Sequence, residues 1–412
     1  MDPRTGLPVV GMVGGGQLAR MTHQAAIAIG QSLRVLAISP DEPAPQVTPA
    51  VDIGSHTDLA ALRAFAAHCD VVTFDHEHVP AEHLRALVAD GVTVYPGPDA
   101  LVHAQDKLVM RTRLAAMGVP VPPFAQVNAV ADVVAFADEH GWPCVLKAVR
   151  GGYDGRGVWM PASAADAEVL VIELLAAGTP LMVEQRVRMR RELAALVARS
   201  PYGQGASWPV VETVQADGIC VEVLTPAPGL SPDVADQALE LALGVAAALD
   251  VVGVLAVELF ETDSGLVVNE LAMRPHNSGH WTIDGSTTSQ FEQHLRAVLD
   301  YPLGATDPVA PVVVMANVLG AAEPPTMGVD ERLHHLFARF GQARVHLYGK
   351  TERPGRKVGH VTVTGDQLAP TRRIASLAAH WLATGVWADG FDVHGNATSK
   401  RGATSKQGAE LS

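Results

Sequence analysis

The sequence predicts an α/β protein of more than one domain that begins with a parallel sheet covered by helices. In the first hundred residues, short apolar runs alternate with amphipathic runs of helical length, a pattern typical of parallel strands joined by helices. The chain has 412 residues, more than a single hydrophobic core usually accommodates. Hydrophobic residues make up 48% of it and charged residues 18%, which is consistent with a folded globular protein.

The N-terminal elements are assigned from their apolar patterns. Strands are predicted at LPVVGMV, SLRVLAIS, CDVVTFD and GVTVYPG, and helices at GQLARMTHQAAIAIG, DLAALRAFAAHC and AEHLRALVAD. The proline-rich segment Met117–Pro123 then indicates a domain boundary. We therefore expect an N-terminal α/β domain over residues 1–120.

Two further domains and a tail follow this boundary. A helix at VADVVAFADEHGW and strands at PCVLKAV, GVWM and LMVEQRV predict a small domain over residues 121–190. Strands at ELAALVA, VVETVQA, VLAVELF and LVVNELA, the helices DVADQALELALGVAAALD and SQFEQHLRAVLD, and a last α/β piece predict a C-terminal domain over residues 191–395. The polar segment from Asn396 to the end, residues 396–412, is predicted to be disordered.

Charge and cysteine content narrow the class of protein. The net charge of −14 makes nucleic acid and membrane surfaces unfavourable main partners. The three cysteines, Cys69, Cys144 and Cys220, have neither metal-binding nor disulfide spacing. No secretion signal or bilayer-spanning run is visible, so we expect a cytoplasmic protein.

The opening glycine loop, GMVGGGQLARM, joins the first strand to the first helix. A dinucleotide site needs Gly-x-Gly-x-x-Gly and an acidic residue that closes the second strand. Gly11 and the triplet Gly14–Gly16 do not have that spacing, and the second strand ends without an acid at Ser39. Because free N–H groups at a helix start favour an anion, we expect a phosphate there. A tight turn without a ligand is the alternative.

A second glycine loop lies within VLKAVRGGYDGRGVW, between a strand that carries Lys147 and the strand GVW. The backbone N–H groups of such a hairpin can cover a triphosphate while the lysine reaches its oxygen atoms. We therefore expect a triphosphate site here, with a flexible surface hairpin as the alternative.

Two carboxylates face each other in the predicted hairpin VLAVELFETDSGLVVNELA. A three-residue loop at Asp263–Gly265 sets the register. The expected pairs are Glu261 with Val267, Leu259 with Asn269, and Glu258 with Glu270. Opposed carboxylates repel, and either a raised pKa or a cation relieves the repulsion. Beside a phosphate loop, Mg²⁺ is the expected cation. An edge hairpin with both acids in water is the alternative.

Five motifs together resemble the ATP-grasp superfamily, whose members hold ATP between two α/β subdomains and join a carboxylate to an amine through an acyl phosphate. They are GGGQLARM, GGYDGRG, EQRV, VELF…NELAMRPHNSGHWT and RPGRKVGHV. More narrowly, they resemble the N5-carboxyaminoimidazole ribonucleotide synthetase family of purine biosynthesis, from about Pro8 to Trp387. The resemblance implies an ATP-grasp fold with a pre-ATP-grasp domain, a small ATP-lid subdomain and a C-terminal α+β domain.

The resemblance also implies four groups of site residues. ATP would be bound by Lys107, Lys147, Gly152, Tyr153, Asp154, Gly155, Arg156, Gly157, Val158, Glu184, Gln185, Arg186, Val187, Glu192, Gln215, Asn269 and Glu270. Mg²⁺ would be held by Glu258 and Glu270. The ribonucleotide would meet Gln17, Leu18, Tyr153, Asp154, Arg156, His276, Asn277, Ser278, Lys350, Arg356 and Lys357. The catalytic residues would be Arg274, Glu77 and Lys147.

Within these groups, the four residues Glu184–Val187 would meet adenine, and Glu192 would meet the ribose. The substrate phosphate would be bound by Lys350, Arg356 and Lys357. In this chain Met273 stands where the family usually has proline, Gln215 where it has histidine, and Asp75 where glutamate is commoner. The choice of proton acceptor between Asp75 and Glu77 is therefore open.

The reaction implied is the phosphorylation of bicarbonate by ATP, release of CO₂ from carboxyphosphate in a closed site, and capture of CO₂ by the amine of 5-aminoimidazole ribonucleotide. A homodimer is implied as well. The alternatives are a sister ATP-grasp enzyme, such as a formate-dependent ribonucleotide formylase or a biotin carboxylase-like protein, an NAD(P)-dependent oxidoreductase, and a catalytically silent nucleotide-binding regulator.

Overall fold

A computed structural model describes residues 1–152 and 156–392. The described residues form three sheets, one parallel and two antiparallel. The predicted disordered tail lies outside the described residues, as do Tyr153, Asp154 and Gly155 of the second glycine loop. No helix in the described ranges combines the length and the apolar character that crossing a bilayer requires.

The N-terminal sheet has four parallel strands in the order β3-β2-β1-β4. The strands are β1 (Val9–Val13), β2 (Ser32–Ala37), β3 (Val51–Ile53) and β4 (Val71–Phe74). The helices of this part are α1 (Gln17–Ala28), α2 (Leu59–Ala66), α3 (Ala81–Ala89), α4 (Pro98–Gln105) and α5 (Lys107–Ala116). The parallel sheet with intervening helices is the predicted architecture.

Two details of this sheet differ from the prediction. The strand predicted at GVTVYPG is wrong, because only Val94 forms an isolated bridge, to Val72 of β4. Pro96 follows two residues later, and proline has no N–H with which to continue a ladder. The short edge strand β3 was not predicted, because three residues are too few for an alternating pattern.

The first helix begins on a carboxylate of the chain itself. The backbone N–H groups of Gly16 and Ala19 both donate to the side chain of Asp75, which follows β4. These amides therefore do not meet a ligand phosphate, and the prediction of free N–H groups at this helix start is wrong for them. Burial raises the pKa of Asp75, and the hydrogen bond from the Gly16 amide opposes that shift.

The second sheet is small and antiparallel, with the order β5-β8-β6-β7. Its strands are β5 (Phe124–Val127), β6 (Cys144–Ala148), β7 (Val158–Trp159) and β8 (Leu181–Gln185), and its helices are α6 (Val130–His140) and α7 (Ala164–Ala176). Val133, Phe136, Leu146, Val171 and Val183 form a core of its own. This sheet carries Lys147 on β6 and the adjoining glycine loop, and we call it the lid sheet.

The third sheet has nine strands and runs β14-β13-β9-β11-β12-β15-β17-β16, with β10 beside β9. The strands are β9 (Arg191–Arg199), β10 (Gly205–Ser207), β11 (Val211–Ala216), β12 (Ile219–Thr225), β13 (Gly253–Thr262), β14 (Gly265–Ala272), β15 (Val312–Leu319), β16 (Arg344–Leu347) and β17 (Lys357–Gly365). The helices are α8 (Pro232–Ala248), α9 (Thr282–Gly285), α10 (Gln290–Val298), α11 (Val329–Arg339) and α12 (Leu368–Thr384).

Helix α10 joins the large sheet to the N-terminal sheet. Its residues Leu295 and Val298 are buried in one core with Val10, Val35 and Val71 of the parallel strands. Burial of such apolar side chains stabilises the contact by about 1.5–3 kcal/mol for each residue. The loop after β4 is thereby held beside the end of β14, where Arg274 pairs with Glu77.

We predict that Gly16→Ala destabilises the protein because a Cβ atom at this position would overlap the carboxylate of Asp75. Displacing that carboxylate leaves buried amides unpaired, which costs about 1–3 kcal/mol. The matched control is Gly97→Ala at the N-cap of α4, where a Cβ meets nothing within 4 Å. Urea unfolding should show a larger loss in the free energy of unfolding for Gly16→Ala than for Gly97→Ala. Equal losses for the two variants would contradict the role of Asp75 at this helix start.

Candidate active site

A deep cleft of about 2610 Å³ lies between the three sheets. The lid sheet contributes Lys147 and Gln185, the large sheet contributes Glu258 and Glu270, and the N-terminal part contributes Glu77 after β4. Every predicted site residue lines this cleft except those named below. The fold therefore brings together at one place residues as far apart in the chain as Gln17 and Lys357.

The hairpin β13–β14 brings its two carboxylates together by a route that differs from the predicted one. The turn has two residues instead of three, since Thr262 pairs with Gly265, and the predicted pairs of Glu261 with Val267 and Leu259 with Asn269 are wrong. Glu261 lies opposite Leu266, and Leu259 lies opposite Val268. A bulge then adds one residue on β14, and Glu258 pairs with Glu270 as predicted.

The bulge has a chemical consequence, because β-bulges redirect side chains. Asn269 and Glu270 both line the cleft, although consecutive residues of a regular strand point to opposite faces. The Asn269 side chain donates to Glu258 over 3.2 Å. The amide and the two carboxylates thus form one cluster of oxygen atoms.

The two carboxylates of this cluster have unequal surroundings. Glu270 forms an ion pair with Lys107 of α5 at 3.0 Å. Among the described residues, Glu258 accepts from the Asn269 amide and lies 3.5 Å from the His276 ring. Burial among the protein atoms of the cleft, together with the charge of Glu270, raises the pKa of Glu258 to about 7.

Lys147 lines the cleft from the lid sheet, and its side chain forms a buried ion pair with Glu184. Its ammonium group lies 2.6 Å from Glu184 Oε2, and Arg111 of α5 donates to Glu184 Oε1 over 2.5 Å. Burial lowers the pKa of Lys147, while Glu184 opposes that shift. Burial alone would raise the pKa of Glu184, but Lys147 and Arg111 hold it below its usual range. The Glu184 side chain is therefore committed to these two cations.

Arg274 and Glu77 form the opposite wall of the cleft. The Arg274 Nε donates to Glu77 Oε2 over 2.7 Å. Burial would lower the pKa of Arg274, but the charge of Glu77 raises it. The other carboxylate oxygen of Glu77 is buried without a hydrogen-bond partner among the described residues. Since Asp75 accepts from two backbone amides instead, Glu77 is the carboxylate with an uncommitted oxygen.

His276 lies beside this wall and is neutral at physiological pH. Burial and the charges of Arg274 and Lys357 lower its pKa to about 3. Its Nδ1 and the Ser278 hydroxyl are 2.9 Å apart. The backbone N–H and C=O of His276 are both bonded to Gln290 of α10. The ring is therefore fixed by its own loop and by a buried helix.

A second cavity of about 430 Å³ adjoins the cleft and shares Gln17, Asp75 and His76 with it. The predicted substrate residues Lys350 and Arg356 line this cavity, opposite Gly15 and Gly16 of the first glycine loop. Lys357 lines the large cleft instead. The opening glycine loop thus faces two cationic side chains rather than forming a dinucleotide turn.

The remaining predicted residues are distributed as follows. In the second glycine loop, Gly152 and Val158 line the cleft, Arg156 and Gly157 do not, and Tyr153, Asp154 and Gly155 lie outside the described residues. Gln215 lines the cleft and hydrogen bonds Glu192.

Some residues of the cleft were missed from the sequence. Trp142 and Val145 form part of its apolar wall beside Gln185, and Arg111 lies behind it. The position of Arg111 four residues after Lys107 on one helix was a usable signal, because this spacing puts both cations on one face.

Family models match most of the chain in three successive parts. A ribonucleotide synthetase preATP-grasp domain matches residues 7–105, and an ATP-grasp domain matches residues 112–291. A phosphoribosylaminoimidazole carboxylase C-terminal domain matches residues 313–373. The predicted ATP-grasp fold class is confirmed.

Individual relatives agree with these models. The chain is 68% identical over 388 residues to N5-carboxyaminoimidazole ribonucleotide synthase of Mycobacterium tuberculosis, covering 94% of this chain and 90% of the relative. It resembles crystal structures of the Aspergillus clavatus enzyme with ATP, at 33% identity and a TM-score of 0.84, and with ADP and 5-aminoimidazole ribonucleotide, at 32% identity and a TM-score of 0.81. Each match covers 91% of this chain and 98% of the other. The predicted family and enzyme class are confirmed, and the chain belongs to the N5-carboxyaminoimidazole ribonucleotide synthase family.

Proposed function

We propose that this enzyme carboxylates the exocyclic amine of 5-aminoimidazole ribonucleotide with bicarbonate at the expense of ATP, in purine biosynthesis. The observation that carries the proposal is the convergence of Lys107, Lys147, Arg274 and the Glu258–Glu270 pair in one cleft. The crystallised Aspergillus clavatus relatives contain ATP, or ADP with the ribonucleotide, which supports the same ligands here.

ATP is proposed to lie between the lid sheet and the large sheet. Lys107 and Lys147 would neutralise phosphate oxygens, and the backbone of Gly152 would approach them from the glycine loop. The adenine would lie against the segment Glu184–Val187, with Trp142 and Val145 as the apolar wall. Because the Glu184 carboxylate is committed to Lys147 and Arg111, only its backbone is available to the base.

The oxygen cluster of β13 and β14 fits Mg²⁺, which takes one or two carboxylates and completes its shell with water and phosphate oxygens. Burial and, after it, the charge of Glu270 raise the pKa of Glu258, and a cation bound between the two carboxylates would oppose that shift. No group of three or more His, Cys, Asp or Glu in the described ranges is arranged as a metal site. Glu258 and Glu270 would hold the ion, and it would offset phosphate charge.

The chemical steps proposed are those that the family resemblance implies, with the charged residues of the cleft in the roles below. A bicarbonate oxygen attacks the γ-phosphorus of ATP, ADP leaves, and carboxyphosphate forms. Lys147 and Arg274 offset the negative charge that develops. Carboxyphosphate yields CO₂ and phosphate in a closed site, where water is excluded. The amine nitrogen bonds to CO₂, and its proton passes to the uncommitted oxygen of Glu77.

The ribonucleotide is proposed to span the boundary between the two cavities. His276, Asn277 and Ser278 line the cleft next to Arg274, where the imidazole ring would meet carboxyphosphate. Its phosphate would lie in the smaller cavity with Lys350 and Arg356. The part of the substrate that reacts and the part that identifies it are therefore bound by different loops.

Two further proposals concern the setting of the enzyme. The homodimer rests on the family resemblance. The cytoplasm rests on the cysteine usage, since no disulfide joins Cys69, Cys144 or Cys220 within the described part of the chain and reducing compartments favour thiols.

The first prediction from the proposed function concerns the reaction itself. Phosphate release from ATP should require both bicarbonate and 5-aminoimidazole ribonucleotide, and ¹³C-bicarbonate should give a carbamate carbon signal on the ribonucleotide. A coupled phosphate assay with single omissions and ¹³C nuclear magnetic resonance measure these outcomes. Equal turnover with formate in place of bicarbonate would instead identify a formylase.

The second prediction concerns Glu258. Its pKa of about 7 in the folded protein lies above the ordinary value of 4.5, so ionising it costs stability increasingly from about pH 4.5 to pH 7. Glu258→Gln should therefore stabilise the metal-free protein at pH 8, with much less effect at pH 5. Chemical unfolding in the presence of a chelator measures both values.

The same variant should lose the stabilisation that Mg²⁺ with ADP gives the wild type. Glu240→Gln, at an exposed position of α8, is the matched control and should change neither property. A Glu258→Gln protein that keeps the full nucleotide-dependent shift would exclude Glu258 as a metal ligand.

The third prediction concerns Arg356. A charge-assisted hydrogen bond contributes about 1.5–3 kcal/mol, so Arg356→Ala should raise the KM for the ribonucleotide about tenfold to hundredfold. The KM for ATP should hold, because Lys147 is intact. Arg353→Ala, a nearby exposed arginine outside both cavities, is the control. Steady-state kinetics in which the KM for ATP rises instead would place Arg356 at the nucleotide.

A further inference from the structure

Arg111 is a buried cation behind the cleft wall. Its side chain is 1% exposed, and it extends from α5 between the lid sheet and the large sheet. The Nε donates to Glu184 Oε1 of β8 over 2.5 Å, and Nη2 donates to the backbone carbonyl of Asn269 on β14 over 2.7 Å. One side chain therefore links three elements that carry proposed nucleotide contacts.

Glu184 is shared between two cations. Arg111 takes Oε1, and the Lys147 ammonium group lies 2.6 Å from Oε2. The three side chains together carry a net charge of +1. Without Arg111, Glu184 and Lys147 would cancel each other, and the group would present no net positive charge to a bound anion. In a buried site, where water screens little, such a change of one charge is strongly felt.

We propose that Arg111 is a positioning residue for the nucleotide: it compensates the charge of Glu184, so that the charge of Lys147 remains available to the phosphates. The inference rests on the proposed function, which assigns Lys147 to ATP. Arg111 does not itself line the cleft in the part of the chain that the structure describes. It acts on the nucleotide through Glu184 and Lys147.

Arg111 also acts together with Lys107, the other cation on this face of α5. Lys107 lies one helical turn before Arg111 on α5 and forms its ion pair with Glu270, the residue that follows Asn269. The two cations of one helix therefore bind neighbouring positions of the bulged strand. Arg111 also contacts Glu184 on β8, which pairs with Lys147. It therefore links the position of Lys147 to that of the carboxylates on the large sheet.

The test compares binding of ADP with binding of adenosine. Arg111→Met should weaken ADP binding about tenfold to hundredfold, the loss expected for a charge-assisted contact. Adenosine carries no phosphate, so its affinity should stay close to that of the wild type. Arg111→Lys keeps the charge and should recover most of the ADP affinity. Arg113→Met, at an exposed position two residues further on α5, is the matched control. Isothermal titration calorimetry measures each dissociation constant.

The double variant Arg111→Met with Glu184→Gln separates charge compensation from a purely structural role. It removes the guanidinium charge of Arg111 and the carboxylate charge of Glu184, so the charge of Lys147 is no longer cancelled. ADP affinity should therefore be higher than in Arg111→Met. Replacing buried ion pairs by less polar groups is often tolerated, so this variant keeps the test open if Arg111→Met does not fold. In that case its ADP affinity should lie within a few-fold of the wild type.

Three results would overturn the inference. They are an Arg111→Met protein that binds ADP like the wild type, one that loses ADP and adenosine equally, and a double variant with no recovery of ADP affinity. The proposed function is tested apart from these results by the wild type, since failure of bicarbonate-dependent turnover there overturns the reaction whatever Arg111 does.

Discussion

The repulsion between Glu258 and Glu270 is the constraint on which the arrangement of the cleft depends. Adjacent strands bring the two carboxylates opposite each other, and the protein atoms of the cleft reduce the hydration of Glu258 in particular. Lys107 relieves one member of the pair, and the Asn269 amide partly relieves the other. Burial and the nearby charge of Glu270 together raise the pKa of Glu258, and a metal–nucleotide complex would oppose that shift.

The cations of the cleft are each paired with a carboxylate as well. Lys107, Lys147 and Arg274 each form an ion pair with a carboxylate of the chain. Such pairing lets buried charges coexist without a ligand and fixes their side chains before the nucleotide arrives. Preorganised charge of this kind is effective in phosphoryl transfer because little reorganisation is needed when charge develops. The paired carboxylates also moderate the attraction for anions in general.

Much of this could be predicted from the sequence, though not always for the right reason. The facing of Glu258 and Glu270 was predicted from a three-residue turn. The actual turn is one residue shorter, and a bulge at Asn269 restores the pairing. A bulge has no signature in apolar alternation, so its effect on Asn269 was not predictable. The parallel N-terminal sheet followed from patterning alone, whereas the strand at GVTVYPG failed because Pro96 interrupts the ladder.

Long-range partners were the other limit of the sequence. Asp75 was considered as a proton acceptor, but the structure gives its oxygen atoms to the amides that start α1. Glu184 was expected beside adenine, and its carboxylate is committed to Lys147 and Arg111. These assignments depend on contacts between distant segments, which local pattern does not encode. The motifs located the cleft, and only the fold assigned each side chain its partner.

The central step of the proposed reaction is the transfer of the γ-phosphate of ATP to bicarbonate in the cleft. The most direct measurement is a reaction of the wild-type enzyme with ¹⁸O-labelled bicarbonate, ATP and 5-aminoimidazole ribonucleotide, followed by mass spectrometry of the phosphate released. Passage through carboxyphosphate leaves one bicarbonate oxygen on phosphorus, so the phosphate should contain one ¹⁸O atom for each turnover. Turnover that releases unlabelled phosphate while the bicarbonate retains its label would contradict the account.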